Sequence, residues 1–148
     1  GLAQACDFRV ADGTASFAVP AARLGIVYNR HECQTLLSLV GLAKAKDILF
    51  SGDRLDADQA SSIGFVDRLA DEGEGALGAA RRFSARMSGN APLTISGVKL
   101  ILNALAAGDA DRRADDIAAA GRKALESEDY QEGIRAFAEK RSPLFCGR

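Results

Sequence analysis

Histidine is almost absent from this 148-residue chain, where His31 is the only one. A histidine-rich metal site is therefore excluded, and no cluster of carboxylates stands in for it. Cysteine is scarce too. Cys6, Cys33 and Cys146 are odd in number, widely spaced and without a C-x-x-C pair, so they read as reduced thiols rather than a disulfide framework or zinc site. No apolar run nears the roughly 18 residues that span a bilayer, and no signal-like segment precedes Gly1. A charge excess is lacking as well: 19 basic and 20 acidic residues, interspersed, leave a net charge of −1. That argues against nucleic acid or a membrane surface as a partner recognised through bulk charge. A cytoplasmic location is the expectation. What the chain does have is 47% hydrophobic and 26% charged residues, enough for a sizeable core in one ordinary domain or a large piece of one.

Residues 1–7 read as the last turns of a helix whose beginning is absent, which suggests a fragment of something longer. Residues 8–11 alternate apolar and polar side chains as a short strand does, Asp12-Gly13 is a strong turn signal, and residues 16–19 form the next strand. Pro20 ends that strand because it has no N–H for a central ladder. Cys33, Leu36, Leu37 and Val40 recur at helical spacing from near His31, Gly41 closes that helix, and residues 43–50 form a second. Asp56, with Gln59 three positions on, fits a capping pattern for a helix ending at Gly64. Residues 65–69 return as a strand, and from about Glu74 the chain is helical: 74–88, then 92–107 with Pro92 in the first turn, then 110–126. Asp129 and Glu132 fit another cap, opening a final helix that carries Phe137, Lys140 and Arg141.

Pro20 to Asn29 is the stretch where a site is most expected, since it joins a strand to a helix and a loop there is held from both sides. Tyr28 and Asn29 occupy its mouth, with His31 and Glu32 in the first helical turn behind them.

Taken in order, several segments resemble the enoyl-CoA hydratase/isomerase (crotonase) superfamily over the full length of the chain. Gly1 to Val10 resembles its LAxACDxRxA unit, Phe17 to Gly25 its FxxPxxxLG loop, and Leu39 to Ala45 with Ser51-Gly52 its LVGxAKAxELLxTG run. Ala57 to Val66 resembles AxxAxxxGxV, and Asp129 to Gly147 the terminal DxxEGxxAFxEKRxPxFxG. Each is weak alone, but five in the right order are specific. The resemblance implies an α/β, crotonase-like (ClpP/crotonase) spiral of ββα units for residues 1–73. For residues 74–148 it implies a C-terminal helical region for trimerisation and CoA contact.

The chemistry implied is enolate stabilisation. The carbonyl of an acyl-CoA thioester lies between two backbone N–H groups, one from a glycine just before Gly1 and the other further back; such preorganised donors are commonly the largest catalytic term. Coenzyme A is then part of the substrate, and no other cofactor is implied. The two hydratase glutamates correspond to Gly1 and Ala21, and neither residue can move a proton. Some isomerases and dehalogenases of the family hold an acid at the position of Asn29, whose amide can orient a group but not abstract a proton. Tyr28 remains. The run Leu24 to Asn29 resembles the loop of the methylmalonyl-CoA decarboxylase branch, as does Ser127 to Gly133. Loss of CO2 makes an enolate without a general base, leaving Tyr28 and Asn29 as the catalytic candidates and Ala21, His31 and Glu32 as pocket residues.

Plainer roles stand beside these. Tyr28 also reads as an amphipathic residue at the edge of the core, His31 as a helix-start residue, and Glu32 as a first-turn acid favoured by the helix dipole. Arg23 is a surface charge or a phosphate partner. By the resemblance Phe137 and Lys140 approach CoA on a neighbouring subunit, against core packing and a solvated face as the alternatives. A homotrimer or dimer of trimers is implied. The alternative function is a catalytically inactive CoA-binding or scaffold member.

Overall fold

The alternation over residues 8–11 condenses into a two-residue strand, β1 (Val10–Ala11), in the computed structural model, which describes residues 1–148. It pairs in parallel with β4 (Arg68–Leu69), Val10 opposite Arg68 and Ala11 opposite Leu69. A second ladder is antiparallel, β2 (Ser16–Phe17) against β3 (Leu55–Asp56). The strands expected over 16–19 and 65–69 are thus shorter than their patterns. Phe65 and Val66 direct their amides at the Ala60 carbonyl, the end of α4 (Ala57–Ser62), rather than at a strand. The Asp12-Gly13 turn is closed by the Asp12 carboxylate, which accepts from the Thr14 amide and hydroxyl.

Arg9 shows how the parallel pair is held. It is only 7% exposed, and a buried guanidinium is tolerable only when every face is partnered. Its Nε donates to the Phe65 carbonyl at 2.6 Å, one terminal nitrogen to the Cys6 carbonyl at 2.9 Å, and the other pairs with Asp67 at 2.8 Å. The Asp67 carboxylate also accepts from the Arg9 amide.

After α1 (Leu2–Ala5) and α2 (Ala21–Leu24), the long element α3 (Arg30–Ser51) crosses this part of the chain. Gly41 interrupts it with φ 76° and ψ 168°, so it is two helices meeting at a break, as the glycine predicted. The capping box at Asp56 is present in full: its carboxylate accepts from the Gln59 amide, and Gln59 reaches back to the Asp56 amide. The core gathers Leu36, Ile48, Phe65 and Val66 with Ala11, Ala45 and Ala60. Of the twelve buried hydrophobic residues in the chain, eight are alanine.

The chain divides into two compact units, Gly1–Phe83 and Ser84–Arg148, where a boundary near residue 73 was expected. Helix α5 (Ala76–Ser88) is followed by α6 (Pro92–Ala107), a short turn at Asp111–Arg113, α7 (Ala114–Leu125) and α8 (Glu128–Glu139). Within the second unit α6 meets α7 where Gly97 leaves room for Ala120. No helix is long and apolar enough to cross a membrane.

Two details of the final helix differ from expectation. Its cap is Ser127, whose hydroxyl accepts from the Tyr130 amide, and not Asp129. The Asp129 carboxylate is already committed, accepting from the amides of Cys146 at 2.7 Å and Gly147 at 2.9 Å. The helix also stops at Glu139, so Lys140 (φ 53°) and Arg141 lie beyond it and do not continue the face of Phe137.

Candidate functional site

Residues 20–29 leave β2 through Pro20, make the single turn of α2, and close it with Gly25 in the left-handed region (φ 69°). The Ile26 amide bonds back to the Ala21 carbonyl at 3.1 Å. Ala21 is buried, whereas the aliphatic side chains of Leu24, Ile26 and Val27 are exposed, Val27 at 97%. Tyr28 is half-buried beside this apolar rim.

The next residue commits the chain to helix. Asn29 is the cap of α3: its side-chain oxygen accepts from the Glu32 amide at 3.0 Å, and the Glu32 carboxylate accepts from the Asn29 amide at 3.2 Å. Two orphan amides are thereby satisfied. Asn29 and Glu32, which sequence marks as candidate catalytic and pocket residues, are tied to each other. Glu32 is the only carboxylate between Ser16 and Lys46, so the loop carries no unengaged acid. His31 is exposed in the first turn of α3, and the Cys33 thiol donates to the Tyr28 carbonyl at 3.7 Å. Ala21, Tyr28, Asn29, His31 and Glu32 thus follow one another along a single loop–helix junction, and among them the structure ties Asn29 to Glu32.

Arg23, left open by the sequence, anchors the loop at its other side. Its Nε donates to the Ser51 carbonyl at 3.0 Å, and its guanidinium pairs with Asp53. No local signal predicts this, because the partners lie 28 and 30 residues away. Both ends of the loop are thus fastened to opposite ends of α3. A straight helix of that length would hold its ends about 33 Å apart. Six residues, coiled at their start by the Ile26–Ala21 bond, fall short of that even with an arginine's reach added. The break at Gly41 makes the double attachment possible.

Phe137 and Lys140 belong to the second unit. Phe137 is 89% exposed on α8, at a groove of about 470 Å3 also lined by Leu125, Ile134 and Phe145. Next to it, acidic side chains of α8 clasp the residues that follow. Glu132 accepts from Arg141 at 2.6 and 3.0 Å and from the Leu144 amide at 3.0 Å. Arg141, then the Leu144 amide, hold the Glu132 carboxyl down at about 2. The Asp129 carboxyl is lowered as well, first by the Cys146 amide. These are structural ties and leave no free acid or base in the groove. No three metal-ligating side chains come together anywhere in the chain.

The family model described as Enoyl-CoA hydratase/isomerase matches residues 1–148. Among curated proteins, the chain is 33% identical over 148 residues to the enoyl-CoA isomerase/hydratase fer4 of Mycosarcoma maydis, covering 99% of this chain and 54% of that protein. It is 36% identical over 151 residues to the carnitinyl-CoA dehydratase of Citrobacter koseri, covering 99% and 58%. The solved enoyl-CoA hydratase of Mycobacterium tuberculosis H37Rv superposes with a TM-score of 0.87 at 30% identity, over 99% of this chain and 58% of that one. The chain spans little more than half the length of the curated relatives it matches.

Proposed function

This chain belongs to the enoyl-CoA hydratase/isomerase family, with that family's crotonase-like α/β fold, and from that premise we propose that it is part of an enzyme that decarboxylates a malonyl-type CoA thioester through its enolate. The observation that carries this reading is the capping box of Asn29 and Glu32, with an alanine, Ala21, buried at the start of the same loop. A hydratase or isomerase needs a carboxylate poised to move a proton, and here the one acid at the junction closes a helix instead. Decarboxylation has no such need. The bond from the α-carbon to the carboxylate breaks, its electron pair passes into the thioester enolate, and CO2 leaves. The α-carbon then takes a proton, which Tyr28 donates and recovers from water. The exposed aliphatic side chains of Leu24, Ile26 and Val27 beside it suit an acyl chain and exclude water from the carboxylate. Phe137 and Lys140 serve the nucleotide end of CoA, and the helical second unit assembles a trimer or a dimer of trimers, which light scattering on the intact protein tests.

The experiment is CO2 release from malonyl- and methylmalonyl-type CoA thioesters by the intact protein and by Tyr28→Phe. A general acid contributes roughly 10² to 10⁴ to rate, so the variant is expected to lose at least about 10² in kcat. Unchanged turnover in Tyr28→Phe removes the phenol from the mechanism. A second reading is favoured by the hydratase and dehydratase names of the relatives: hydration of an enoyl thioester, with Glu32 leaving its cap to act as the base. It predicts crotonyl-type hydration that disappears in Glu32→Gln. CoA binding without turnover of any enoyl-, dienoyl- or malonyl-type thioester is the outcome expected of an inactive scaffold.

A further inference from the structure

Arg23 makes contacts out of proportion to its exposed position. The Nε bond to the Ser51 carbonyl and the pairing with Asp53 set its cation over the C-terminus of α3, where carbonyls lack helical partners and the dipole is negative. Its stem lies on Gly52, the left-handed cap of that helix (φ 62°): a Cβ at Gly52 would come within 3.1 Å of the Arg23 Cγ. The arginine is therefore seated by shape as well as charge. The element that carries it, α2, is a single turn of four residues and has little stability of its own. Buried Ala21 and Arg23 are what fix it. Six residues after Arg23 the chain is fixed again by the Asn29 cap, and Tyr28 lies on the span between these two points.

We propose that Arg23 is a positioning residue for Tyr28, holding α2 against the end of α3 so that the following loop presents the phenol to the substrate. This rests on the decarboxylase reading for the role of the phenol, but not for the tether itself. An exposed ion pair adds little to global stability. Loss of Arg23 should accordingly leave the unfolding midpoint nearly unchanged while loosening residues 21–28.

The test uses Arg23→Met, which keeps the stem and removes the donors, and Arg23→Lys, which keeps the charge but not the fork. Hydrogen exchange of the Ile26 amide, bonded to the Ala21 carbonyl, is expected to accelerate in Arg23→Met, with amides of α8 unaffected and Arg23→Lys intermediate. On a malonyl-type CoA thioester, Arg23→Met is expected to lower kcat roughly tenfold or more with KM unchanged, the effect of misplacing a reacting group. The double variant Arg23→Met/Tyr28→Phe should be no slower than Tyr28→Phe alone, because Arg23 acts through Tyr28. Unchanged Ile26 exchange, or an additive double variant, overturns the proposal. An intact protein that turns over no malonyl-type thioester overturns the decarboxylase reading instead, and the Ile26 exchange then decides the role of Arg23.

Discussion

Replacing Gly41 by alanine separates two descriptions of α3 by the sign of one number. At φ 76° and ψ 168° the backbone lies in a region open to glycine and essentially to nothing else, costing other residues about 1–3 kcal/mol. A Cβ built there meets no atom within 4 Å, so neither a clash nor a new contact alters that figure. Alanine also restricts the unfolded chain, which returns about 0.4–1 kcal/mol. The net expectation is a loss of about 1–2 kcal/mol, a fall in Tm of about 2–8 °C at this size. Were residues 30–51 a single continuous helix, the same substitution would replace an interior glycine and stabilise by about 0.5–1 kcal/mol. Urea denaturation of the intact protein and Gly41→Ala, followed by circular dichroism, measures the difference directly. A variant as stable as the parent, or more so, refutes the break at Gly41 and the double attachment of the loop that depends on it.

Asn29→Ala is expected to cost about 1 kcal/mol through the lost cap, with Asn29→Asp restoring most of it, since the two acceptors are equivalent caps; chemical denaturation reads both. Leu36 is 1% exposed in the core, and Leu36→Ala is expected to lose about 2–5 kcal/mol; a smaller loss would mean the surrounding helices collapse into the space. The Glu132 carboxyl is held at about 2 against an ordinary 4.5, so its ties to Arg141 and Leu144 contribute fully above pH 4.5 and are lost as pH falls from there towards 2. An acid titration of unfolding should therefore be shallower over that window in Glu132→Gln than in the parent. Equal slopes would show that the carboxylate is not clasped.

Local chemistry accounts for what was legible without the structure. The Asp56–Gln59 box, the helix stop at Gly41 and the turn at Asp12 each depend on residues within four positions of one another, and each is present. The caps that differ were set from further away. Asp129 has the right chemistry to open a helix, but amides 17 and 18 residues later engage its carboxylate, so Ser127 takes the role. Arg9 sits at a polar step of an alternating pattern, and only its partners at Phe65 and Asp67 make it an interior residue. Strand lengths shrank for the same reason, because alternation shows which residues face inward and not how many find a ladder partner. At the junction itself, sequence marked Asn29 and Glu32 as candidates but could not show that they engage each other, nor that Arg23 ties the loop to Ser51 and Asp53.

The predominance of alanine among the buried residues has a consequence for how this protein tolerates change. An alanine interior lets backbones approach closely and leaves few methylenes to delete, so truncating substitutions have few places to do harm. Enlarging ones have many. At Ala60, with no exposed surface, or at Ala11, Ala104 and Ala136, one added branch must displace main chain rather than fill a gap. The mutational landscape is thus lopsided, forgiving towards smaller residues and severe towards larger ones. Enlarging substitutions are therefore tolerated at the exposed positions of the surface and loops, and within residues 20–29 the buried Ala21 is not one of them.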